Sequence, residues 1–84
     1  MSEPEKWSFS SILLYFLDKW GPFSMSRYIP APGQNHAVAT WLAQGMCLVW
    51  YADMRVVSLR RKPEGETIEW ADDWEKLYTW RLAG

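Results

Sequence analysis

The side chains best placed to do chemistry lie in one short run, where Arg55, Arg60, Arg61 and Lys62 put four cations within eight positions. Such a cluster suits phosphate, because each Lys or Arg that neutralises a phosphate releases counterions and strengthens binding at low salt. Other chemistry is poorly provided for. His36 is the sole histidine and Cys47 the sole cysteine. A histidine-based triad would have to recruit Ser and carboxylate partners from unrelated places, and a cysteine zinc site has no second thiol. Asp72 and Asp73 are adjacent, so on a helix they point about 100° apart, a poor arrangement for shared acid-base work. No glycine-rich phosphate loop is present. These features point away from an enzyme, a metal site and a bound cofactor, and His36 reads as a surface residue.

Charge is segregated along the chain. The stretch from Lys19 to Lys62 nets +5, the first 18 residues net −2 and the last 22 net −4, for −1 overall. A basic middle can meet an anionic partner while the acidic ends stay turned away. At 84 residues there is room for one domain, expected over 8–84 behind a disordered tail of residues 1–7. Seven Trp, four Tyr and three Phe enlarge a small core, and one or two of the Trp are expected as interface anchors. The longest apolar run, Ile12 to Leu17, has six residues, against about 20 for a membrane span. With no export signal and one thiol inside the apolar Met46 to Trp50 run, the chain fits a reducing, cytoplasmic setting in which Cys47 is buried and inert.

The elements that must position these residues follow from periodicity. Phe9, Ile12, Leu13, Phe16, Leu17 and Trp20 share one helical face, with Ser8 or Ser10 as cap and Gly21-Pro22 as stop. Leu14 and Tyr15 lie off that face and need cover from the domain or a partner. Phe23 to Pro32 is ambiguous between a short helix and an extended segment, and Pro30 to Gly33 forces a turn. A second helix is expected from His36 to Gln44, with Asn35 as its N-cap and Gly45 as its end, Val38, Trp41 and Leu42 inward and His36, Thr40 and Gln44 outward. Met46 to Ala52, Arg55 to Lys62 and Thr67 to Ala71 read as strands, the last competing with an early helix start. Asp72 with Glu75 forms a capping-box-like start to a closing helix that carries Trp74, Leu77, Tyr78 and Leu82. The expected fold is a small α+β domain with two N-terminal helices, a three-stranded antiparallel meander and a C-terminal helix.

Helix, short segment, helix, glycine, strand, turn and basic strand resemble the winged-helix pattern over residues 8–62. The segment from Thr40 to Leu48, followed by Val56 to Leu59, is similar to a recognition helix running into a wing. The resemblance implies a DNA-binding transcription regulator whose helix from His36 to Gln44 enters a major groove, with Thr40 and Gln44 at base edges. Arg55, Arg60, Arg61 and Lys62 would contact phosphate. Against this, the basic strand could simply pair with Glu64 and Glu66 across the following turn. The alternative is a small protein-binding inhibitor or adaptor of the phage or mobile-element type. It would use Leu14, Tyr15, Trp70, Asp72, Asp73 and Trp74, since an acidic surface studded with aromatics can dock on a basic groove. A homodimer fits so small a reader, although no heptad pattern is visible.

Overall fold

The computed structural model describes residues 7–61 and 65–82. Helix α1 (Phe9–Trp20) leads into strands β1 (Met25–Ile29), β2 (His36–Trp41), β3 (Met46–Tyr51), β4 (Val56–Arg60) and β5 (Thr67–Ala71), and helix α2 (Trp74–Leu82) closes the chain. The five strands form one antiparallel sheet in sequential order. Both helices pack on the same face of that meander.

Helix α1 forms as its periodicity requires. Ser8 caps it, its side chain accepting from the Ser11 amide at 3.3 Å. At the other end Gly21, at φ 76°, donates its N–H to the Leu17 carbonyl at 2.9 Å. Ile12, Phe16 and Trp20 recur every fourth residue and are buried. Phe16 stacks on Trp20 at 4.4 Å, and Trp20 meets Trp41 edge-on at 5.0 Å.

The second N-terminal helix does not exist. Residues 36–41 are β2, and 42–45 turn the chain into β3. Ala37 and Ala39 raise helix propensity, but their small size serves another purpose, giving α1 room to pack on β2. Read with period two, Ala37, Ala39 and Trp41 face the helices while His36, Val38 and Thr40 face the other way. Val, Thr and Trp suit a pleated surface, and pairing with both β1 and β3 satisfies the backbone. Gly45, at φ 67°, donates to the Leu42 carbonyl at 3.1 Å, so the glycine that signals a helix end here completes a hairpin turn. Asn35 caps no helix. Its Oδ1 accepts from the Ala31 amide at 3.1 Å and its own amide donates to Asp53 Oδ2 at 3.0 Å, tying the β1–β2 loop to the β3–β4 turn.

The meander has five strands rather than three, because the ambiguous Phe23 to Pro32 segment supplies edge strand β1 and 36–41 supplies β2. Thr67 to Ala71 is a strand, with a register shift between Leu59 and Arg60 where it joins β4. The cap of α2 is Asp73, not Asp72, since Asp73 Oδ1 accepts from the Lys76 amide at 3.0 Å.

Aromatic contacts lock the helices to the sheet and to each other. Trp41 Nε1 donates to the Gly21 carbonyl at 2.7 Å. Trp7, assigned by sequence to the tail, packs edge-on against Trp50 at 5.8 Å and Trp74 at 5.2 Å, and Trp74 in turn meets Tyr15 at 5.1 Å. The remainder of that expected tail lies outside the described residues. Among the described residues no helix is long and apolar enough to cross a membrane.

Candidate binding face on the sheet

Antiparallel pairing puts directly opposed residues on the same side of a sheet. The register therefore sets Arg27 beside Val38 and Val49, His36 beside Tyr51, and Thr40 beside Cys47 and Arg60. Ser58 stands between Val49 and Trp70. This face has no helix over it, yet Thr40, Cys47, Val49 and Ser58 are all no more than 3% exposed. Longer neighbours fence them in. Arg60 Nη2 donates to the Tyr51 hydroxyl at 3.0 Å. The Tyr51 ring lies between His36 and Trp70, with both centroids at 5.7 Å and tilts of 31° and 38°.

A cavity of about 320 Å³ opens on this face, with Val38, Thr40 and Val49 among its walls and Arg27, His36 and Arg60 as its charged or titratable lining. Met25, Ile29 and Tyr51 complete it. No Asp or Glu stands on this side of the five strands among the described residues. The carboxylates with described partners lie off the strands or on the other face: Asp18 pairs with Arg81 at 3.9 Å, Asp53 in the β3–β4 turn accepts from the Asn35 amide, Asp73 caps α2, and Glu69 accepts from Trp80 Nε1. Tertiary structure thus gathers Arg27, His36 and Arg60 on one strand face whose described strand residues include no acid.

Of the residues singled out as nucleic-acid contacts, the fold brings His36, Thr40 and Arg60 together. Gln44 sits on the exposed β2–β3 turn and, with Arg61 and Lys19, borders a separate groove beside Trp20 and Trp80. Arg55 is committed to structure: at φ 56°, its Nη2 donates to the Trp7 carbonyl at 3.0 Å while Trp7 Nε1 donates to the Arg55 carbonyl at 2.6 Å. Lys62 and Glu64 lie outside the described residues. Arg60 donates to the Tyr51 hydroxyl.

The protein-binding candidates also separate. Tyr15 is packed against Phe16 and Trp74, with the Arg81 guanidinium 5.0 Å from its ring centre. Trp74 is partly buried in the aromatic cluster and Asp73 is a helix cap. Leu14, 69% exposed, Trp70, 49% exposed, and Asp72 remain accessible.

Arg27 and Tyr51 were missed by sequence reasoning. Arg27 became visible only once 25–29 was a strand, and Tyr51 only once the hairpin register placed it opposite His36. A period-two count through 36–41 is the signal that would have found both. Among the described residues no group of three or more His, Cys, Asp or Glu is arranged to hold a metal. No protein-family model, curated protein or solved structure matches this chain.

Proposed function

We propose that this protein is a non-catalytic binding module that holds single-stranded nucleic acid on the open face of its sheet. The observation that carries this is the convergence of Arg27, Arg60 and His36 with the Tyr51 and Trp70 rings on one face whose described strand residues include no carboxylate. Arginines supply phosphate contacts, and aromatic rings supply stacking that every base accepts. Single strands are favoured over duplex because a cavity and exposed rings engage unstacked bases, whereas a duplex keeps its bases stacked within. The regulatory role inferred from sequence is retained only in this broader form, and its binding element moves from a helix to a sheet. A cytoplasmic setting accords with the single buried thiol of Cys47.

The test is fluorescence anisotropy with a labelled single-stranded oligonucleotide and its duplex over a salt series. Binding of the single strand that weakens with a log–log salt slope of roughly −0.7 per phosphate contact supports the proposal. Arg27 is the cleaner probe, being exposed on edge strand β1, and Arg27→Glu should weaken binding about tenfold or more. Equal affinity for Arg27→Glu and the unaltered chain would refute it. Retention of a stoichiometric protein through Leu14, Trp70 and Asp72, with no affinity for the oligonucleotide, would favour the inhibitor or adaptor role instead.

A further inference from the structure

Resting on nucleic-acid binding at this face, we propose that the cavity lined by β1, β2, β3 and β4 is a seat for one nucleotide, its base against Val38 and Val49 and its phosphate met by Arg27 or Arg60 at the rim. Size sets the first limit. At about 320 Å³ the cavity stands at the small end of ligand pockets, which run from roughly 300 to 1,000 Å³. One nucleotide is the natural occupant, and a folded peptide element or a duplex is too large. The chemistry of the walls sets the second. Val38 and Val49 offer the apolar surface that a base prefers to water, while the two arginines on β1 and β4 stand on opposite sides of these residues in the strand order. A flat apolar body with an attached anion fits that division better than a free anion does.

Thr40 gives the seat a polar contact. It is 3% exposed and lines the cavity, and the contact recorded for its hydroxyl is a long one, toward Cys47 Sγ at 4.0 Å. A hydroxyl so weakly engaged and so well buried gains from any base-edge donor or acceptor brought to it. The seat therefore does more than follow the backbone. It adds a base-dependent increment to the general affinity of the face.

The experiment titrates the full chain with each of the four 5′-mononucleotides and with inorganic phosphate, followed by amide chemical shifts, and repeats the oligonucleotide titration on variants. Saturable shifts at Val38, Thr40 and Val49, with at least one mononucleotide binding about tenfold tighter than phosphate, are expected. Val38→Phe fills the cavity from a residue that is only partly buried, and Thr40→Val removes the hydroxyl at constant shape. Val38→Phe should abolish the mononucleotide shifts and Thr40→Val should weaken mononucleotide binding severalfold, and circular dichroism establishes that each is folded. Two failures are distinguishable. If the oligonucleotide binds but mononucleotides bind no better than phosphate and both variants keep full oligonucleotide affinity, the seat is wrong and the face binds through backbone alone. If the unaltered chain binds no oligonucleotide, nucleic-acid binding falls and the seat falls with it.

Discussion

The two faces of the sheet are buried by different means. Beneath α1 and α2, Trp41, Leu48, Val57 and Leu59 meet Ile12, Phe16, Leu77 and Trp80 in an apolar core. On the opposite face Thr40, Cys47, Val49 and Ser58 are just as inaccessible, but what shields them is a fence of neighbouring side chains, several of them cationic or aromatic. A helix is held in place by its own backbone and its whole apolar stripe. A fence of single side chains moves rotamer by rotamer, so a partner can displace it without unfolding the domain. The first face is therefore the one suited to holding the domain together, and the second is the one proposed for recognition.

The sharpest way to break this contrast is at Trp41. It is fully buried, contacts Trp20 and Phe23 and donates to the Gly21 carbonyl, so Trp41→Ala should cost about 3 to 5 kcal/mol. A domain this small cannot absorb much of that, and urea denaturation should show extensive unfolding already in buffer. A stable Trp41→Ala protein would mean that the helix-covered face is not the main source of stability.

The recognition face should respond in the opposite way. Trp70→Ala removes a half-exposed ring, and base stacking lost there should cost about 1 to 3 kcal/mol of oligonucleotide affinity with little change in the denaturation midpoint. Loss of stability without loss of affinity would place Trp70 with the core instead.

Asp73 sharpens the comparison from the acidic side. Asp73→Ala removes the cap of α2 and should lower stability by about 1 kcal/mol, yet oligonucleotide binding should not change, because Asp73 serves the helix. Altered affinity would show that the acidic end of the chain takes part in recognition.

The smallest effect is expected at Ser58. Among the described residues its fully buried Oγ has no hydrogen-bond partner. Ser58→Ala removes the desolvation penalty at almost constant volume, so stability should stay level or rise by up to about 1 kcal/mol. A marked loss in calorimetry would reveal a hydrogen bond that the described contacts lack.

Much of the helix-covered face was legible in the sequence. Helix α1 declared itself through a four-residue apolar repeat between a serine cap and a Gly-Pro stop. The strands 46–51, 56–60 and 67–71 were legible from branched and aromatic residues between turn signals. The open face was not legible, because its parts come from four strands and one of those strands looked helical. Ala37, Ala39 and Ala43 with Gln44 satisfy a helical count over a short window, and a window of ten residues cannot tell small-because-helical from small-because-covered. The difference is tertiary, set by the bulk of α1 lying over β2.

Residue chemistry alone therefore determined a small α+β domain with a basic middle and acidic ends. Which cations act together was decided only by the fold. Arg55, Arg60 and Arg61 are near neighbours in sequence, but a strand turns successive side chains to opposite faces, and the left-handed turn at Arg55 points it back to Trp7. Arg60 instead shares a cavity with Arg27, more than thirty positions away, because antiparallel register brings together residues that are distant along the chain.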